Sequence, residues 1–370
     1  MNRLSRAELQ ERNRAKVLAA ARDEFAERGF REAKVDRIAE RAGFTRGVVY
    51  SNFPGKRALY FAVLAEDAER SPEQPHAERG RTAHDALGAF ARAWVARLPL
   101  AEAPTARLDV DVLPEVLADE QTRRPFTQLM KLDALLLSLA LERVRPPEVP
   151  PGAPPARLVR VAEMVLTTLQ GASQLSAAAP GFLEPFDVVS ACEQLANLEL
   201  SDWWAPPPVV PPAQPANGPW SPPSTVDAVR GESVSLTDDG VVAILGLHRL
   251  SAVEAAVRAA PPGAEVTAVL VSGEPAELMP LARLALAELV GCLRQAFLPA
   301  HWPRLRVVYD PTGAIAAAAG VPAVSDATEA AVRVEDGRIV ARAEGLGACH
   351  AAASTGKTHG KAAPRTPRIS

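Results

Sequence analysis

Arg46, Val48, Tyr50 and Asn52 follow one another in one short stretch, at spacings that turn them away from the apolar pair Val49 and Phe53. A guanidinium, a phenol and a carboxamide on the outside of a helix suit hydrogen bonding to a partner, and a guanidinium fits the two acceptors on a guanine edge. Bond-making chemistry has less support. The three cysteines, Cys192, Cys292 and Cys349, form no CxxC pair and no cluster with metal-ligand spacing, so neither a disulfide framework nor a zinc module is expected, and no cofactor is.

The elements that would carry these residues can be read around them. Val35, Ile38, Ala39 and Ala42 line one face of a short helix, with Asp36, Arg37, Glu40 and Arg41 on the other. Gly43 is the natural left-handed stop. Thr45 stands where a second helix would take a capping oxygen, and Pro54 and Gly55 end that helix. Upstream, Arg12 to Arg28 reads as a longer helix with Val17, Leu18, Ala21 and Phe25 on its buried side, closed by Gly29 and Phe30. The result is a helix-turn-helix pattern with a third helix as support. Residues 1–60 hold 14 Lys and Arg against 8 Asp and Glu, whereas the whole chain has net charge -3. A basic lobe on an acidic protein is an electrostatic footprint for nucleic acid.

The features Gly29-Phe30, Ile38-Ala39 to Ala42-Gly43, Thr45-Arg46-Gly47, Tyr50 with Phe53, and Lys56 followed by Leu59 resemble the TetR family of bacterial repressors. The resemblance covers about the first sixth of the chain. It implies a recognition helix from Thr45 to Phe53 in the major groove of double-stranded DNA. Thr45, Tyr50 and Lys56 would hold phosphates, Arg46, Gly47, Val48 and Asn52 would face base edges, and Lys34 would touch the backbone. Asn52 stands where many relatives carry His, which leaves base preference there open. The family also implies a homodimer on a palindromic operator, with repression relieved by a small-molecule effector.

At 370 residues, 48% of them hydrophobic, the chain is long enough for two or three cored domains. No apolar run approaches 18 residues free of charge, and the amino terminus is charged from Arg3, so neither a membrane span nor a signal peptide is indicated and a cytoplasmic location is expected. Arg3 to Arg14 is either an arm that reaches DNA or a solvated tail.

From Lys56 a helix runs to about Arg70, interrupted by Ser71 to Pro75. Thr82 to Leu98, Leu108 to Leu117 and Thr122 to Val144 read as further helices, the last carrying an apolar run from Leu132 to Leu141 that belongs in a core. After a loop at Pro146 to Pro155 come two apolar-periodic helices, Ala156 to Leu175 and from Phe186 to about Trp203. The family assigns such a pair to a four-helix bundle between two subunits, here 156–175 and 186–200. Trp94, Phe126, Met130, Met164, Gln170 and Gln174 either line an effector pocket or simply pack.

Ala205 to Pro223 has the composition of an extended linker that separates two domains and builds no core. Beyond it the period changes. Val241 to Leu247, Val266 to Val271 and Leu305 to Tyr309 read as strands, with helices at Ser251 to Ala260, Glu274 to Phe297 and Ala314 to Ala319. Ala330 to Val334 and Ile339 to Ala343 flank an Asp-Gly hairpin turn. The pieces VSLTDDGVVAILGL, VVYDPTGAIAAAAGVP and VRVEDGRIVARAEG are similar to the redoxin branch of the thioredoxin fold. Where redoxins place their reactive cysteine this chain reads Leu247-His248-Arg249-Leu250-Ser251. A thiolate needs a thiol at a helix start, so no enzyme is expected here. The alternatives are a thiol-dependent oxidoreductase or a redox-sensing accessory built on an exposed Cys349 beside His350, with Cys292 a buried structural residue.

The expected fold is multidomain: an all-α TetR-type helix-turn-helix head (1–58), a helical ligand-binding and dimerisation body (59–204), a Pro-rich linker (205–230), an α/β thioredoxin-like domain (231–349) and a disordered basic tail (350–370).

Overall fold

The computed structural model describes residues 5–70, 79–98, 112–145, 157–202 and 204–355. The expected breaks at 71–75, 99–104 and 146–155, and most of the tail, lie outside these residues.

Helix α1 spans Arg6–Glu32 and begins earlier than periodicity predicts, because Ser5 and Glu8 form a reciprocal capping box (Glu8 amide to Ser5 Oγ 3.2 Å, Ser5 amide to Glu8 Oε2 2.7 Å). Gly29, at φ 69°, breaks it where a side chain would be strained. Helices α2 (Val35–Ala42) and α3 (Arg46–Asn52) follow, joined through Gly43 at φ 72°. Val17, Leu18, Phe25, Ile38, Val49 and Phe53 make the head's core. Phe30 and Tyr60 pack at a tilt beside it with ring centroids 4.8 Å apart.

Helix α4 (Lys56–Arg70) leads out of the head into a body of α5 (Ala83–Val95), α6 (Val112–Leu117), α7 (Glu120–Val144), α8 (Val159–Ala178) and α9 (Pro185–Leu195). The last helix is shorter than expected. Beyond Leu195 the chain turns extended, and Asp202 is held by a bidentate ion pair with Arg258 (2.6 and 2.8 Å).

The carboxy-terminal part is a mixed sheet of β1 (Gln214–Pro219), β4 (Gly240–Gly246), β5 (Glu265–Val271), β6 (Arg306–Tyr309), β7 (Glu329–Glu335) and β8 (Arg338–Glu344), in the order β1-β8-β7-β4-β5-β6. A small hairpin of β2 (Thr225–Val226) and β3 (Ser233–Val234) precedes β4. Strands β4, β5 and β6 are parallel, while β7, β8 and β1 are each antiparallel to the inner neighbour. Asp336 and Gly337, at φ 49° and 68°, form the β7–β8 turn, as the Asp-Gly pair predicts. Helices α10 (Val253–Ala259), α11 (Pro275–Ala296), α12 (Ala314–Ala318) and α13 (Ala348–Ser354) complete it. Side chains alternate as the pleat requires. Val242, Ile244 and Val269 meet Ile315 of α12 on one face, while Val241, Ala243 and Leu270 join the core shared with α11 on the other.

Three expectations need correction here. Pro-rich residues 205–223 are not a free spacer: Gln214–Pro219 pairs with β8 as an edge strand, and Trp220 is buried with its indole N–H donating to the Leu236 carbonyl at 2.6 Å. Proline is tolerated on an edge because its missing N–H faces away from the ladder. The two halves are also not separate. Helix α11 is apolar on both sides, so it packs against the sheet and against α4, α5 and α7 together, within one continuous core. Charged contacts reinforce that seam: Arg283 bridges Glu69 bidentately (2.9 and 2.6 Å), Arg57 reaches Glu277 (3.4 Å) and Asp119 (3.0 Å), and Gln121 donates to Glu274 (2.8 Å). Finally, residues 350–354 belong to buried α13 and not to a loose tail, with Ala351, Ala352 and Ala353 in the core.

Candidate nucleic-acid interface

The apolar side of α3 is anchored by Val49 and Phe53, both buried. Its outer side presents Arg46, Gly47, Tyr50 and Ser51 to solvent, with Thr45 exposed at its start and Lys34 exposed at the start of α2. Arg46 and Tyr50, one turn apart, form a unit: the guanidinium donates to the Tyr50 hydroxyl at 3.2 Å and lies 5.2 Å from its ring centroid. Asp36 of α2 holds the other side of Arg46 at 3.4 Å. The Tyr50 hydroxyl first, and then Asp36, raise the guanidinium's pKa further, so the cation is fixed at every relevant pH. Tyr50 is 40% exposed, a large ring left on the surface beside a cation. Gly47 has no crowding to explain it, since an added Cβ would lie 3.8 Å from the Thr45 hydroxyl. The helix therefore offers its bare backbone there.

Four expected residues are placed differently from their anticipated roles. Thr45 is the N-cap by backbone, but its hydroxyl makes no capping bond and stays exposed. Val48 is half-buried. Asn52 is half-buried as well, and its amide donates to the Val48 carbonyl at 2.8 Å, closing the end of α3 instead of pointing outward. The clearest correction concerns Lys56. Its ammonium donates to the carbonyls of Phe30 (2.8 Å), Arg31 (3.2 Å) and Ala33 (3.2 Å), and it lies 4.4 Å from the Phe30 ring centroid. A lysine has three donors, and all three are occupied by carbonyls at the broken end of α1. It clamps the head and does not project toward a phosphate. Lys56→Met is expected to destabilise the head by about 1.5–3 kcal/mol. In a salt titration of DNA affinity the slope should stay unchanged, whereas loss of a phosphate contact would lower it by about 1.

Sequence reasoning missed the residues that set the angle of α2 against α1. Glu24 is fully buried and meets Arg41 (3.2 Å) and Arg28 (3.4 Å), while Arg41 also pairs with Glu27. A carboxylate at an apolar position of α1 was the available signal, since such a group is buried only when paired. Arg14 likewise covers the Phe53 ring at 4.4 Å.

The family profile described as "Bacterial regulatory proteins, tetR family" matches residues 17–63. This lobe is the amino-terminal domain of the TetR family. Over the same part the chain is 44% identical across 63 residues to the transcriptional activator FasR of Mycolicibacterium smegmatis, covering 17% of this chain and 27% of that protein. It is 39% identical across 61 residues to the repressor AcnR of Corynebacterium efficiens, covering 16% and 32%. The matched stretch thus spans less than a third of either relative's length. Among solved structures, reduced NemR of E. coli is similar at 19% identity over 51% of this chain and 98% of that one, with a TM-score of 0.35. The TetR-type domain accounts for the helix-turn-helix head alone, and the sheet beyond residue 213 lies outside it.

Among the described residues no helix is long and apolar enough to cross a membrane, and no three His, Cys, Asp or Glu side chains gather as a metal site.

Proposed function

We propose that this protein is a DNA-binding transcriptional regulator that occludes its target site as a homodimer on a palindromic operator and is released by a small-molecule effector. The observation that carries this reading is the Arg46–Tyr50 pair standing outward on the second helix of a TetR-type head. Arg46 reads a base edge, Tyr50 and Thr45 hold phosphates, and Lys34 adds a backbone contact from α2. Relatives named for their role include the activator FasR and the repressor AcnR, so repression here rests on occlusion of the site by the bound dimer and not on that likeness.

The dimer is supported by α8 and α9. Met164, Thr167, Gly171 and Leu175 form an exposed stripe along α8, and Phe182 and Phe186 beside it are 73% and 79% exposed. Gly171 has nothing within 4 Å of an added Cβ, so a second helix can approach closely there. A surface of this kind asks for a partner, and a second copy meets the demand by two-fold symmetry.

The order β4, α10, β5, α11, β7, β8 and α13, with β6 and α12 inserted before β7, supports a redoxin-like reading of the carboxy-terminal part, one without thiol chemistry. The 3-10 turn that leads into α10 carries no thiol, and the Ser251 amide in it donates to Gln128 of α7 at 2.9 Å. Cys192, Cys292 and Cys349 are all fully buried, and burial pushes each thiol up, Cys192 to about 12. Cys349, for which an exposed sensor beside His350 is only the alternative reading of the sequence, is a core residue. The part acts through its packing against α4.

With the full chain, Tyr50→Ala should weaken binding to all DNA sequences by a similar factor, whereas Arg46→Ala should relax preference at one base pair, a loss of about 1–3 kcal/mol there. Gel-shift titrations on specific and mutated sites distinguish the two. Unchanged binding in both variants would sink the reading.

A further inference from the structure

The cavity lined by Trp94, Phe126, Gln170 and Gln174 is small, about 100 Å³, and the Trp94 indole is already satisfied by Ser173 at 2.9 Å. Met164 lies on the surface, and Met130 contacts Gln170 without lining the space. A larger cavity, about 380 Å³, lies where the helical body meets the sheet. It opens between the last turns of α7, the end of α10 with the turn at residues 260–264, and the loop before β6. Its size suits a small organic molecule.

Much of the wall is apolar. Val266 and Leu305 are buried, and Leu139 and Val257 are half-buried beside them. The turn adds Pro261 and Pro262, which present ring carbons and have no backbone N–H to donate.

The charge on the wall is one-sided. Among the described residues, Arg143, Arg157 and Arg304 line the cavity against the single carboxylate of Glu142. That carboxylate is already engaged, accepting from Arg157 Nη1 at 2.7 Å and from the Leu158 amide at 3.0 Å. Arg143 donates through Nε and Nη2 to the Ala300 carbonyl (2.9 and 2.5 Å), a neutral acceptor that leaves its charge unbalanced and its Nη1 unused. Arg304 is exposed and makes no hydrogen bond or ion pair with the described residues. Burial first, then the charges of Arg304 and Arg230, lower the pKa of Arg143, as expected of cations crowded together without an anion. The carbonyl end of α7 offsets part of the Arg143 charge, but Arg304 stands in a loop and has no such offset. The cavity beside Trp204 differs in this respect, with four cations against four carboxylates on its wall.

We propose that the cavity at the end of α7 binds a small organic acid, its carboxylate on Arg304 and Arg143 and its hydrocarbon body against Val257, Pro261 and Leu305. A guanidinium fork matches a carboxylate in shape as well as charge. The apolar wall selects one carboxylate on a hydrocarbon body over a ligand with several charges, since the further charges would be desolvated without partners. Arg143 belongs to the helical body and Arg304 to the sheet half, so the bound acid joins the two. The site stands on binding alone and does not depend on the regulator reading.

Calorimetric titration of the full chain with 2-naphthoate tests it. The acid is expected to bind, with the uncharged 2-naphthamide and the bodiless anion acetate each at least tenfold weaker. Added salt should weaken the naphthoate and leave the amide unchanged. Arg304→Gln should lower naphthoate affinity at least tenfold while leaving the melting temperature of the unliganded protein unchanged, because the side chain has no partner to lose. Arg143→Gln should act in the same direction, whereas Arg123→Gln, which removes an exposed cation from the other end of α7, should not. Naphthoate should also raise the melting temperature of wild type and raise that of Arg304→Gln far less. Absence of naphthoate binding by wild type, equal affinity for the amide, or unchanged affinity in both Arg304→Gln and Arg143→Gln overturns the site. An equal loss in Arg123→Gln would reduce the effect to net charge and overturn it too. Inorganic phosphate binding as tightly as naphthoate would overturn the organic acid as the occupant.

Discussion

Phe186→Glu combined with Leu175→Glu is expected to leave the protein folded but monomeric and to lower operator affinity at least a hundredfold, about 2.7 kcal/mol. Neither residue belongs to the subunit's own core, since Phe186 is 79% exposed and Leu175 43%. Charging them should therefore cost the monomer little. In a dimer the same positions are desolvated, where an unpaired carboxylate is strongly disfavoured. Two heads held at a fixed spacing bind two half-sites together, and a single seven-residue recognition helix has too few contacts to hold one. Sedimentation and gel shift on the same preparation check the prediction. A variant that remains dimeric would move the interface away from α8 and α9.

Asp133→Leu is expected to raise the melting temperature at pH 7 by several degrees, with the gain shrinking toward zero near pH 4. Asp133 lies inside α7 with its Oδ1 unpartnered, and burial first, then the neighbouring Glu288 carboxylate, raise its pKa well above the ordinary value. Burial first, then Glu69, raise the phenol of Tyr309 in β6, and the Asp133 charge adds to that. Because the folded pKa exceeds the unfolded one, near 3.9, ionisation of this group takes nothing from stability below the unfolded value. As pH rises past that point the unfolded chain releases the proton and the folded chain holds it. Stability then falls until the folded pKa is passed. Removing the carboxyl removes that slope, with a gain of about 1–3 kcal/mol at neutral pH. Differential melting across pH 4 to 8 measures it. A gain that is the same at every pH would mean that packing, not charge, is responsible.

Much of the head was legible because its signals are local. Gly29 and Gly43 take the left-handed backbone for which glycine is suited, and α2 and α3 fall where spacing of Ile38, Ala39, Val49 and Phe53 predicts. Lys56 shows the limit. Its role depends on carbonyls 23 to 26 residues away, which no spacing rule relates to it. The same holds for Asn52, whose amide folds back to Val48, a bond as available to a helix end as any outward contact. Proline content predicts an extended backbone at 205–223 and gets that right, but an extended backbone is also what an edge strand needs. Helix α13 reads as tail because ACHAAAS offers alanines on every side and no apolar period, yet alanine is what a close contact with β7 demands. Helix α11 carried the strongest unused signal. The run LMPLARLALAELV carries only Arg283 and Glu288 among apolar residues, too wide an apolar surface for one sheet to cover, so it must be covered on two sides. That pattern foretells the shared core of body and sheet.

Selection of bound sequences from random DNA by the full-length protein tests the central claim most directly, especially when repeated with Arg46→Ala. Wild type should enrich a two-fold symmetric site, and the variant should enrich the same site with one base pair in each half relaxed. No enrichment by wild type, or an identical preference from Arg46→Ala, would contradict the assignment of α3 as the reading helix.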